Sequence, residues 1–179
     1  MLFRSDVDDG NVGYTITTGD ASSADSNYNG VVIPDPSVSN EDNDTAGITV
    51  SPTSGLTTTE AGAGADTFTI VLDSEPTADV SISLTSSNTS EGTVSPANVT
   101  FTSENWNEAR TVTVTGVDDD VDDGDIGYTI TTGNASSGDS NYNNVGVDDV
   151  SVTNTDDDTA DVVVDPTSGL TTTEAEEIG

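Results

Sequence analysis

The stretch TVTVTGVDDDVDDGDIGYTI spans Thr111–Ile130. Val112 and Val114 alternate with Thr111, Thr113 and Thr115, and Tyr128 and Ile130 alternate with Gly127 and Thr129. A period of two with one apolar face is the signature of a half-buried strand. Between the two strands, six of the eight residues from Asp118 to Asp125 are aspartates. Like charges so close together should force a loop open. The chain has no lysine and only two arginines, Arg4 and Arg110, against 34 acidic residues. The counter-charge for this loop is therefore expected from outside the chain.

The same alternation recurs on both sides. Ile48 and Val50, then Phe68, Ile70 and Leu72, then Val80, Ile82 and Leu84, then Val99 and Phe101 each line one face of a strand, and so do Val150 and Val152. The intervening positions are mostly Thr and Ser, and the branched Cβ of threonine suits the pleat. No helical period competes. About seven short antiparallel strands with one apolar face predict an all-β fold, an immunoglobulin-like β-sandwich.

Composition narrows the function. A formal net charge of −32 with few aromatics is typical of disordered acidic chains, but the clean alternations argue for a packed core. A phosphate backbone needs a basic patch, so nucleic acid is not expected as a partner. No apolar run is long enough to span a membrane, and Met1–Ser5 is too short for a signal peptide. With no cysteine, neither disulfides nor thiolate chemistry arise. Trp106 is expected to pack over one end of the core, and Tyr28 and Tyr142 to anchor their loops.

The sequence repeats. GYTITTG starts at Gly13 and Gly127, DSNYN at Asp25 and Asp139, and PTSGLTTTE at Pro52 and Pro166, each pair 114 residues apart. A fixed period without insertion points to a tandem array of one structural unit. The frame places one complete unit at 46–158, the back of a preceding unit at 1–45 with an irregular start at 1–5, and the front of a following unit at 159–179.

The aspartates gather in loops and leave strand interiors nearly free. Such clusters meet the needs of calcium, which takes about six to eight oxygen ligands from flexible segments. Zinc is not expected where histidine and cysteine are both absent. The loop is no EF-hand: Val121 stands at the third position, Ile130 replaces the closing glutamate, and flanking helices are missing.

TVTVTGVDDDVDDGDIGYTI, followed by DVSVTNTDDD at 149–158, resembles the Calx-beta domain of sodium–calcium exchangers and of tandem repeats in bacterial surface proteins. In that family one strand ends in an acidic run, another strand follows, and the last strand ends in acidic residues. A glutamate lies near the first strand, where TTTEAG supplies Glu60. The resemblance covers 46–158 and both partial units. It implies calcium ligands at Glu60, Asp118, Asp119, Asp120, Asp123, Asp125, Asp156, Asp157 and Asp158. The counterparts in the partial units are Asp6, Asp9, Asp42, Asp44 and Glu174. A middle-loop ligand has no clear match, since TSSNTSEG offers only Glu91. ASSGDSNYNNVGVDD is longer and more polar than the family pattern.

These readings lead to a calcium-rigidified structural repeat of a secreted stalk or fibre, extracellular or on a cell surface, with neighbouring copies head to tail. An adhesin-type module recognising glycans or a partner protein is the alternative. A regulatory calcium-sensing domain is a further one. An enzyme is not expected, because neither histidine nor lysine is present to activate a serine or threonine. Asn43, Asn88, Asn98 and Asn134 begin N-x-S/T sequons, a weak sign of glycans.

Overall fold

The computed structural model describes residues 5–174, and among them it has twelve strands and no helix. In chain order they are β1 (Val12–Thr15), β2 (Ser37–Asn40), β3 (Ile48–Ser51), β4 (Leu56–Thr59), β5 (Ala65–Leu72) and β6 (Val80–Ser86). There follow β7 (Gly92–Ser95), β8 (Asn98–Phe101), β9 (Arg110–Gly116), β10 (Ile126–Thr132), β11 (Ser136–Ser137) and β12 (Val150–Thr155).

Strands β3 to β12 form a two-layer sandwich. One sheet has the order β3-β5-β9-β7, and the other runs β4-β12-β10-β6, with β11 and β8 also paired to β6. The inward positions are those marked by the alternation. Phe68, Ile70 and Leu72 from β5, Val112 and Val114 from β9, Val80, Ile82 and Leu84 from β6, and Tyr128 and Ile130 from β10 are all buried. Each such side chain contributes about 1.5–3 kcal/mol through its removal from water. Val150 and Val152 complete the inner face from β12.

The sandwich has ten strands where the alternation predicts about seven. The three extra ones are short and polar. In β4 the inward residues are Leu56 and Thr58, and Glu60 follows on the same face; with threonine and glutamate inside, no apolar stripe marks the strand. In β7 the inward positions are Gly92, where a Cβ would collide with the Tyr128 hydroxyl, and the half-buried Val94. Strand β11 is two serines. β4 also departs from the expected antiparallel pattern, because it pairs parallel to β12 with Val152 opposite Leu56.

Strands β1 and β2 form a separate two-stranded sheet in which Val12 faces Asn40 and Tyr14 faces Val38. This register is that of β10 and β12, where Ile126 faces Asn154 and Tyr128 faces Val152. The strand pairing therefore recurs along with the sequence, although nothing covers this smaller sheet among the described residues and Tyr14 and Ile16 are exposed.

Trp106 packs partly buried against the core, as expected. Tyr142 is a buried anchor whose hydroxyl donates to the Ser74 carbonyl at 2.7 Å. Tyr28 is 63 % exposed instead, so its ring does not anchor its loop by burial. No helix is long and apolar enough to cross a membrane.

Candidate metal centre

At one end of the sandwich β4, β9 and β12 finish, and β7 and β10 start. Glu60 extends β4 by one step: its N–H donates to the Thr155 carbonyl at 3.1 Å, continuing the parallel ladder. Its side chain then points inward and is only 2 % exposed. Asp156 and Asp158 leave the end of β12. One carboxylate oxygen from each of Glu60, Asp156 and Asp158 falls within 4.8 Å of the other two.

Two of these side chains carry an oxygen without a protein partner. Glu60 Oε2 and Asp158 Oδ2 are buried and accept no hydrogen bond. Buried polar atoms are nearly always paired, and an unpaired carboxylate is costly. The charges show the same imbalance. Burial, then the nearby charges of Asp156, Asp119, Asp123 and Glu91, push the Glu60 carboxyl up to about 7. Burial and the charges of Asp156, Asp157, Asp120 and Asp118 also raise Asp158. Asp156 moves the other way, lowered by the backbone N–H groups of Asp158 and Gly124 that donate to it. It is the anion the fold itself stabilises, and the other two are left without compensation.

Among the described residues no basic side chain supplies it. Arg110, the one arginine among the described residues, starts β9, whereas the acids lie beyond the end of that strand, about 20 Å away by strand rise. Arg110 pairs with Glu108 at 3.8 Å and lies over the Phe101 ring.

The loop after β9 wraps this end. Asp119 Oδ1 accepts from Val121 N–H at 2.8 Å and Asp125 Oδ1 from Asp156 N–H at 3.2 Å. Asp118, Asp119, Asp120, Asp123, Asp125 and Asp157 are exposed around the trio, in a position to move onto an ion. Asp122, which the resemblance leaves out, serves the backbone instead. Its Oδ2 accepts from Ala160 N–H at 2.7 Å and clasps the outgoing chain.

One buried residue of the centre was not anticipated. Asn154 Nδ2 lies 3.2 Å from Glu60 Oε1, 3.4 Å from Glu91 Oε2 and 3.2 Å from the Val117 carbonyl. Its Oδ1 accepts from Thr58 Oγ1 at 2.8 Å, and Thr58 meets the Tyr128 hydroxyl at 3.2 Å. The signal was available: Asn154 continues the inward series of Val150 and Val152, so the alternation already placed a polar residue inside. Gly116 admits it, since a Cβ there would strike the Thr59 carbonyl and Asn154 Oδ1. Glu91, the middle-loop acid, is buried beside it.

The acids outside residues 46–158 are placed differently. Asp42 Oδ2 accepts from Gly10 N–H at 2.6 Å and Oδ1 from Asp44 N–H at 2.9 Å, reproducing the Asp156 arrangement, and these N–H groups lower Asp42 in the same way. Among the described residues, Asp6, Asp9, Asp42 and Asp44 nevertheless join no close carboxylate trio, and neither does Glu174, which is exposed outside any strand. The earlier loop has no glutamate equivalent to Glu60 within the chain.

The donor set fits a hard cation. Two oxygens on one calcium can be no more than about 5 Å apart, given ligand distances of about 2.3–2.6 Å, and the trio meets that limit. Glu60, Asp156 and Asp158 would hold the ion, with the exposed aspartates completing its shell.

No family model and no curated protein matches the sequence. Among solved structures, the chain is similar to the apo-form Calx CBD1 domain, with a TM-score of 0.49 and 17 % identity over 64 % of this chain and all of that one. It is similar to the calcium binding domain CBD12 of CALX1.1 at a TM-score of 0.48 and 17 % identity, over 62 % of this chain and 46 % of that one. Domains 4 and 5 of the S-layer protein SbsC give a TM-score of 0.39 and 15 % identity over 86 % and 80 % of the respective chains.

Proposed function

We propose that residues 46–158 form a calcium-binding structural repeat, one unit of an array that serves as a stalk or fibre outside the cell. The observation that carries the calcium reading is the pair of buried, partnerless oxygens Glu60 Oε2 and Asp158 Oδ2 beside Asp156, in a chain with almost no positive charge. An ion there supplies the missing charge compensation. The recurrence of sequence and strand register at a spacing of 114 residues supports a role in spacing rather than a unique reaction centre.

Calcium linkage gives the test. A site whose dissociation constant is a hundredfold below the free calcium concentration adds about 2.7 kcal/mol. That is a large share of a domain stability of about 5–15 kcal/mol. Melting followed by circular dichroism should show a much lower midpoint in chelator than in calcium. Asp118→Asn with Asp119→Asn should weaken binding in calorimetry. A melting curve indifferent to chelator would end the calcium reading.

A further inference from the structure

The acidic loop of the preceding unit touches the complete unit at the end opposite the metal centre. The Asp6 carbonyl accepts from Glu75 N–H at 2.7 Å. The Asp8 carbonyl accepts from Asn141 Nδ2 at 2.6 Å, and Asp8 Oδ2 accepts from Ala46 N–H at 2.9 Å. We infer that Glu75 N–H and the Asn141 side chain form a socket for the DVDDG loop of the adjacent unit, and that this contact fixes the angle between units.

Three further observations carry the inference. First, the loop has the same shape at both places where its sequence occurs. DVDDG stands at 6–10 and again at 120–124. Gly10 and Gly124 have φ of 73° and 75°, and each donates to an aspartate, Asp42 or Asp156, at 2.6 Å. Asp122 clasps Ala160 as Asp8 clasps Ala46. The loop is thus a preformed plug, and at 120–124 it presents the same two carbonyls to a further copy of the unit. Second, the socket is held rigid from behind. Asp139 Oδ1 accepts from Asn141 N–H at 2.9 Å, its Oδ2 accepts from Thr77 N–H at 2.8 Å, and Tyr142 next to Asn141 is buried on Ser74. Third, the chain contains its own control. Asn27 occupies the same place in the earlier DSNYN, and its Nδ2 turns back to Asp25 Oδ1 at 3.0 Å. Asn141 instead reaches across the junction.

The bonds from the socket go to backbone carbonyls, so they do not depend on how the aspartates are charged, and the inference stands apart from the calcium reading. It is a heterologous, head-to-tail contact, the kind that propagates along an array.

The test uses the full chain in saturating calcium. Asn141→Ala keeps the loop's own backbone bonds and removes only the crossing donor. Hydrogen exchange should show the Glu75 amide losing about tenfold in protection, while Ile70 and Val112 amides keep theirs. Spin labels on Ser23→Cys and Ser103→Cys, in a chain free of native cysteine, should give a narrow distance distribution that Asn141→Ala broadens. Asn27→Ala should change neither readout. Unchanged protection and distance width in Asn141→Ala would overturn the socket. So would equal effects from Asn27→Ala and Asn141→Ala. The chelator melting experiment reports on the calcium reading separately, so either can fail alone.

Discussion

The two acidic loops, at 6–10 and at 120–124, have the same sequence and the same glycine and aspartate bonds to the segment that follows β2 or β12, yet only one lies beside a closed centre. Beside the later loop, Tyr128 is 5 % exposed and Asn154 is fully buried. Beside the earlier one, Tyr14 is 52 % exposed and Asn40, the counterpart of Asn154, faces solvent. Loop conformation is a local property, written in a few residues such as the positive-φ glycine and its aspartate acceptor. The carboxylate trio is not. It needs Glu60 from the end of β4, roughly 60 residues before the loop, and a second sheet to exclude water.

The largest effect should come from paired substitutions of the tyrosines. Tyr128→Ala opens a core cavity and should cost about 3–5 kcal/mol. Tyr14→Ala should stay within about 0.5 kcal/mol, as exposed changes do. Urea unfolding of both variants measures the contrast, and equal costs would mean that β1 and β2 are covered in solution.

A smaller difference is expected at the asparagines. Asn154→Ala strands Glu60, Glu91 and the Val117 carbonyl without their shared donor, at a cost of about 1–3 kcal/mol. Asn40→Ala should be silent. The same unfolding experiment decides it.

The pH response sharpens the comparison further, with the smallest effect. Glu60 sits at about 7 in the fold against an ordinary value near 4.5. Between those values the folded chain holds this proton and the unfolded chain does not, so without calcium stability should fall as pH rises from about 5 to about 8. The raised Asp158 acts in the same direction, whereas Asp156, lowered from 3.8, is ionised in both states over this range and affects stability only at more acid pH. With calcium the trend should reverse, because the ligands must be charged to bind. Melting midpoints at both pH values, with calcium and with chelator, test this. Parallel trends in the two conditions would remove Glu60 from the centre.

Much of this was legible in advance. The strands carrying Phe68, Ile82, Val112, Tyr128 and Val152 announce themselves through alternation, because burial on one face demands it. β4 does not, since Thr58 and Glu60 replace the apolar stripe where the centre needs polar atoms inside. Glu60, Asp156 and Asp158 were named through a family resemblance, but their convergence is a matter of topology that no local pattern encodes. Asn154 was overlooked because a polar residue at the end of an apolar series reads as the strand's terminus.

The parallel pairing of β4 with β12 has a mechanical consequence. β3 and β4, which enter the sandwich, run in the same direction as β12, which leaves it, so the chain enters at one pole and exits at the other. Tension on the two ends therefore acts along the strands and tries to slide them lengthwise. The backbone bonds from Val152–Leu56 to Thr155–Thr59 then share the load together instead of parting one by one, as they would in a hairpin pulled open at its mouth. Glu60 and Asp156 sit just past the end of that pair, so any ion they hold becomes a rivet across the sliding plane.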